Sequence, residues 1–328
     1  MMFKKVLIVI PTVLILLYLL ISCNSKPKIT DFNQLIIRSI SINKDLIYAS
    51  TKGDYDGSGF VYSSIDTAKT WIRLNDGKPL SEDVEDVQTI EVSPHNSDII
   101  YAGTWKNGLF KSIDQGKHFV KVDNFPVNDI RSIIFSPTNP NTIGIATGTH
   151  GFFKTSDAGK YWTDMASPFK KTWMIKQSPF YLSDLYALTV DDGLYYSLNN
   201  GQTWKKVYDT KQICYDLKFN ENNPDDIWLV TTNFKQSDLV QITPSDFNHK
   251  TTHFNMPLTK LYINTDKNSE TTVFIGFDNG IMVKKGTTIE QLEFDLGGKK
   301  VSELIRFEDR LLIATWGGGV LVYKLTGS

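Results

Sequence analysis

The chain has 328 residues, 41% hydrophobic and 22% charged, ordinary values for a globular protein. Its 35 basic and 36 acidic residues leave a net charge of −1. No basic stripe stands out, which argues against nucleic acid as a partner.

The chain opens on a targeting segment. Lys4 and Lys5 precede a largely apolar run of 16 residues, Val6 to Ile21. That is short for a spanning helix, which needs about 20 residues, and it fits a secretory signal peptide. Leu20-Ile21-Ser22-Cys23 resembles a bacterial lipobox. Residues 1–22 are therefore expected to be a lipoprotein signal peptide, with Cys23 the lipid-bearing first residue of the mature chain. Residues 23–30 then read as a polar tether and residues 31–328 as one domain. An uncleaved signal anchor is the alternative, and either reading places the domain outside the cytoplasm. Only two cysteines occur, so with Cys23 acylated Cys214 reads as a small core residue.

Beyond the tether the chain repeats one plan seven times. An apolar strand comes first, as in Ile37-Arg38-Ser39-Ile40, which returns unchanged as Ile130-Arg131-Ser132-Ile133. A turn cluster follows, such as Ser93-Pro94-His95-Asn96 or Ser136-Pro137-Thr138-Asn139. Second strands begin at Leu46, Ile100, Ile143, Leu185, Ile227, Val273 and Leu312. A glycine usually introduces the third strand, and Asn107-Gly108, Asp192-Gly193 and Asn279-Gly280 are tight-hairpin signals.

After the third strand comes a phrase of hydroxyl, any, Asp or Asn, any, Gly, any, any, aromatic. It occurs at Ser64–Trp71, Ser112–Phe119, Thr155–Trp162 and Ser197–Trp204, with first residues 48, 43 and 42 apart. A period of roughly 40 to 50 residues made of short strands signals propeller blades. The phrase suits a hairpin tip: the acid accepts hydrogen bonds from its own turn, and the glycine reaches φ > 0 without strain. Ala68 stands where the other copies have glycine, so an altered turn is expected there.

The phrase resembles the Asp box, or BNR repeat, of sialidases, sortilin-type receptors, xyloglucanases and photosystem II assembly factors. The resemblance implies an all-β, seven-bladed propeller of four-stranded antiparallel blades. It also implies that Asp66, Asp114, Asp157 and Asn199 hold turns away from the ligand face. One carboxylate per turn is too few for calcium, so no metal or cofactor is expected. Blade 5 has a decayed box near Thr243-Pro244-Ser245-Asp246, and blades 6 and 7 have none. The last blade has three strands before the chain ends. Asp31–Ile36 is expected to supply its outer strand and close the ring, since an open edge is a liability.

Catalytic signatures are mostly absent: there is no G-x-S-x-G elbow, complete Walker loop or H-E-x-x-H helix. His249 and His253, on a strand, would lie about 13 Å apart, too far to share a metal. A sialidase needs an arginine cluster, and the chain has only Arg38, Arg73, Arg131, Arg306 and Arg310. A glycosidase needs two carboxylates about 5 to 9.5 Å apart. Asp54, Asp56, Asp191, Asp192 and Asp278 are the candidates, but xyloglucanases of this type place their acids between two propellers. In size and layout residues 31–325 look most like the single-propeller assembly factors, without their arginine-rich patch.

The leading expectation is a monomeric, lipid-anchored, non-enzymatic propeller that binds a protein or glycan at the bacterial cell envelope. A glycan-acting hydrolase is the alternative. Aligning the first strands puts Arg38, Gln88, Arg131, Trp173, Tyr215, Thr259 and Glu303 in one column at one mouth of the channel. Such a column normally repeats one apolar residue, whereas this one is polar and aromatic. Trp105, His150, Asp191, Phe234, Asp278 and Trp316 are expected to form an outer rim on the same face.

Overall fold

In a computed structural model, residues 32–53, 58–266 and 270–325 are described. The lipobox with Cys23, the tether, and Asp54 and Asp56 lie outside the described residues.

Seven antiparallel sheets follow one another along the chain, each in simple up-and-down order. The first strands of the blades are Ile36–Asn43, Val87–Val92, Ile130–Phe135, Thr172–Gln177, Ile213–Asn220, Leu258–Thr265 and Val301–Phe307. Each contacts the first strand of the next blade, and the seventh contacts the first, so they form a closed inner ring. The molecule is a seven-bladed β-propeller.

The sequence pattern follows from that stacking. A blade's second strand is covered on both faces by neighbouring blades, so it reads as an unbroken apolar run instead of alternating. Ile100–Thr104, Ile143–Thr147 and Leu185–Thr189 are buried at every position. Outer strands such as Val120–Lys121 and Thr163–Asp164 are exposed. The apolar core accordingly lies between blades. Tyr101 and Leu109 of blade 2, for example, cluster with Ile130, Ile133 and Phe153 of blade 3. A buried threonine ends most second strands and ties off the next hairpin. Thr104, Thr147, Thr189 and Thr315 donate through Oγ1 to the carbonyls of Gly108, Gly151, Gly193 and Gly319 at 2.6–3.1 Å.

The repeated phrase forms the turn between third and fourth strands in blades 1 to 4. In the second copy Gly116 N–H donates to Ser112 Oγ at 2.8 Å and His118 N–H to Asp114 Oδ1 at 3.0 Å. Asn199 serves the fourth copy equally, accepting from Thr203 N–H at 2.9 Å. The turn at Ala68 is not altered. Ala68 keeps φ 63°, against 83° at Gly116, and donates to Ser64 Oγ at 3.0 Å. The hydroxyl and the acid fix the turn strongly enough to hold an alanine left-handed, at a cost of about 1–2 kcal/mol.

Ring closure departs from expectation in detail. The last blade has three strands among the described residues, and Phe32–Gln34 is a 3-10 turn, not an outer strand. The N-terminal strand closes the ring from the inside. Ile36 bridges to Trp316, Gly317 N–H donates to Leu35 O at 3.0 Å, and Ile36–Asn43 packs against the last blade. The reason lies in Phe32, whose ring stacks on Trp71 at 4.3 Å and 9°. Burying that ring in the core between blades 7 and 1 turns the backbone across the blade join.

Candidate functional site

All seven first strands carry an irregularity at the same place. The ladder skips a residue between Ile37 and Ser39, Val87 and Thr89, Ile130 and Ser132, Thr172 and Met174, Cys214 and Asp216, and Val301 and Glu303. In blade 6 the skip falls between Leu258 and Leu261. A bulge unpairs one residue and re-aims its side chain. The re-aimed residues are Arg38, Gln88, Arg131, Trp173, Tyr215, Thr259 or Lys260, and Ser302.

Six of the seven residues aligned from sequence therefore stand at the bulges. The seventh does not: Ser302 occupies the bulge of blade 7, and Glu303 is the next, paired residue. Arg38, Gln88, Arg131, Trp173 and Tyr215 line one small concavity, together with Met174, Lys260, Ser302 and Trp316. Thr259 lies beneath it, 1% exposed, and the Thr259 and Ser302 hydroxyls have no hydrogen-bond partner among the described residues.

Around this mouth cations and aromatic rings are linked in a circuit, with three rings in direct succession and Asp86 as the closing link. Arg131 lies over Trp105 at 4.9 Å and over Trp173 at 5.8 Å. Trp173 stacks on Tyr215 at 4.9 Å, and Tyr215 meets Phe234 edge-on at 6.2 Å. Lys300 bridges Phe234 and Trp316 at 5.5 and 4.9 Å, and Arg38 covers Trp316 at 5.1 Å. Arg38 is held by Asp86, whose carbonyl accepts the Trp105 N–H at 3.2 Å. Each guanidinium is thereby fixed by a ring on one side and a carboxylate on the other. Arg131 pairs with Asp129 at 2.7 Å as Arg38 does with Asp86 at 2.6 Å.

The outer rim is mixed. Trp105 and Phe234 are 41% and 52% exposed. His150 is exposed, its ring meeting the hydroxyl of Thr149 and its backbone N–H donating to Thr147 Oγ1 at 3.0 Å. Asp191 and Asp278 pair with Lys171 and Lys300 at 2.9 and 3.4 Å, and Asp192 pairs with Lys206.

Below the mouth lies a charge cluster. Glu303 lies 3.4 Å from both Lys218 and Lys260. Burial alone would raise the Glu303 carboxyl, but Lys260, Lys218 and Lys176 bring it well below the usual range. Burial lowers Lys176 and raises Glu91, further along the channel. The cluster sets fixed charge inside the ring of first strands, next to the mouth.

Sequence reasoning missed Asp86, Asp129, Lys260, Lys300 and Ser302. The first two left a signal: an aspartate stands two residues before the column residue in Asp86-Val87-Gln88 and in Asp129-Ile130-Arg131. A second cleft of about 810 Å³ adjoins the mouth, lined by Lys52, Asp83, Glu85, Asp86, Trp105, Lys106 and Asn107.

No family model and no curated protein matches this chain. Solved structures do. An ancestral GH74 enzyme superposes with a TM-score of 0.69 at 14% identity, over 88% of this chain and 44% of that one. The extracellular domain of a hybrid two-component system from B. thetaiotaomicron superposes at 0.65 and 17% identity, over 88% of this chain and 39% of that one. YCF48 bound to D1 peptide superposes at 0.65 and 15% identity, over 91% of this chain and 96% of that one. The chain spans less than half of the first two. At these identities the likeness is one of fold.

Proposed function

We propose that this chain is an exported, lipid-anchored, non-enzymatic binding module that engages a protein or glycan of the cell envelope through the mouth. The observation that carries the reading is the circuit of Trp105, Arg131, Trp173, Tyr215, Phe234, Trp316 and Arg38. Trp, Tyr and Arg dominate binding hot spots, and flat aromatic faces also stack on sugars. Ion pairs and cation–π contacts preorganise these groups, so little ordering entropy is lost on binding. The likeness to a propeller solved with a peptide, and to extracellular domains, is compatible with this role. The repeated turns are read as Asp boxes in this view, and Cys23 as the acylated residue.

The carboxylates of the mouth are engaged by cations, although burial raises Asp86 above its ordinary value. Asp86, Asp129, Asp191 and Asp278 each have a basic partner. A glycosidase acid must instead be held protonated by an apolar or anionic setting. The cleft beside the mouth favours the alternative, because it sets Asp83 and Glu85 next to the exposed Trp105. A turnover screen against labelled β-glucans and sialosides separates the two. The binding reading expects no product. Product formation lost in Asp83→Asn or Glu85→Gln, with folding intact, would make the protein a glycoside hydrolase.

A further inference from the structure

The loops of the mouth join second to third strands, so the turns joining third to fourth strands lie at the opposite end of the propeller. Those turns share a feature their own architecture does not need. The hydroxyl at the first position and the acid at the third make the hydrogen bonds. The second position only points outward, and Ser156 fills it adequately in blade 3. Yet it is Ile65, Ile113 and Leu198 in the other copies, 72%, 71% and 65% exposed. In blade 3, Tyr161 of the same turn is 78% exposed instead. In three copies an exposed lysine stands within the same tip: Lys69, Lys117 and Lys160. The adjoining turn of blade 4 adds Tyr181 at 57% exposure.

Large apolar side chains at the apex of rigid polar turns, three of the four with a lysine in the same tip, match a membrane interface. The apolar tip enters the headgroup boundary, and lysine keeps its ammonium at the phosphates. The turn acids Asp66, Asp114 and Asp157 stay ionised, held below the ordinary carboxylate range by hydrogen bonds of their own turns, so the apolar tips and not a net positive charge carry the contact. On blades 5 to 7 the same end carries exposed Glu221, Asp225, Asp246, Glu270 and Glu308. The apolar tips are thus confined to blades 1 to 4.

We propose that the turns of blades 1 to 4 form a second membrane contact, docking this end of the propeller on a phospholipid bilayer. The contact rests on the reading of Cys23 as a lipid anchor, and adds to it by fixing the orientation of the propeller on the membrane. The contact tilts the molecule toward blades 1 to 4 and turns the mouth away from the lipid, toward a partner.

The test uses the full-length chain in vesicles of phosphatidylethanolamine and phosphatidylglycerol. An environment-sensitive fluorophore is placed at Ile113→Cys, at Leu198→Cys, or at Lys106→Cys beside the mouth, with the unsubstituted chain as background. The expected result is quenching by a lipid-phase quencher at positions 113 and 198 and none at 106. Reversing Lys69, Lys117 and Lys160 to glutamate together should reduce that quenching several-fold without lowering the unfolding midpoint. Unquenched labels at 113 and 198, or quenching at 106, would overturn the proposal. So would quenching that ignores the charge reversal. Shielding of the tips that needs envelope proteins and fails in pure lipid would assign the surface to a protein instead.

Discussion

The Arg38 guanidinium holds the Asp86 carboxylate by two hydrogen bonds, Nε to Oδ1 at 3.0 Å and Nη2 to Oδ2 at 2.6 Å, across the join between blades 1 and 2. The side chains are only 13% and 5% exposed. Removing one partner of such a pair leaves an uncompensated buried charge, at about 3–5 kcal/mol. Asp86→Ala should therefore lose about that much stability in urea unfolding. Replacing both residues by methionine should cost far less than Asp86→Ala alone. Equal losses in the single and double variants would mean that packing, and not charge, holds this join.

The stack of Phe32 on Trp71 fills the gap between the last blade and the first. Equivalent rings meet edge-on elsewhere, Phe125 with Trp162 at 5.0 Å and Phe169 with Trp204 at 5.1 Å. Phe32→Ala should cost about 3–5 kcal/mol and Phe32→Leu clearly less. Calorimetry checks this. An unchanged melting temperature in Phe32→Ala would show that the ring closes without this segment.

How much of this was legible beforehand depended on what each residue answers to. The blade count, the hairpins and the turns were readable because each is set locally, by a glycine, a threonine or an acid acting within its own few residues. The mouth column was readable in six blades because the bulge recurs near the start of each first strand, within a few residues of the same distance from the first turn. It slipped by one at Glu303, since Ser302 and Glu303 are both polar and only the ladder shows which is unpaired. The role of Phe32 was hidden because Trp71, which decides its place, lies 39 positions away. Lys260 and Lys300 were missed because their acidic partners, Glu303 and Asp278, come from other blades.

His118 reports on its turn through its titration. Its ring nitrogens face Asp114 at 2.6 Å and Asp76 at 3.1 Å. The hydrogen bond to Asp114 and the charge of Asp76 raise the imidazole above its ordinary 6.5. The backbone N–H of His118 and its ring hold Asp114 down at about 2. A raised folded pKa stabilises fully below 6.5, and the contribution disappears as pH rises through the folded value. The Asp114 contribution runs the other way, present above its unfolded value of 3.8 and lost as pH falls toward 2. NMR titration should give His118 a midpoint above 6.5 that falls back in Asp114→Asn. A midpoint unmoved by that substitution would contradict the pairing.

The central claim is that the mouth binds. Trp173 and Tyr215 form its stacked pair at 4.9 Å, and both face the concavity. The most direct measurement compares recovery of partners from detergent-solubilised envelope by the native chain and by the Trp173→Ala, Tyr215→Ala double variant, with affinity then measured for whatever is retained. The account predicts a loss of about 2 kcal/mol or more, roughly thirty-fold in affinity, in a variant that still unfolds cooperatively. Unchanged affinity in the folded double variant would contradict it and move the site away from the mouth.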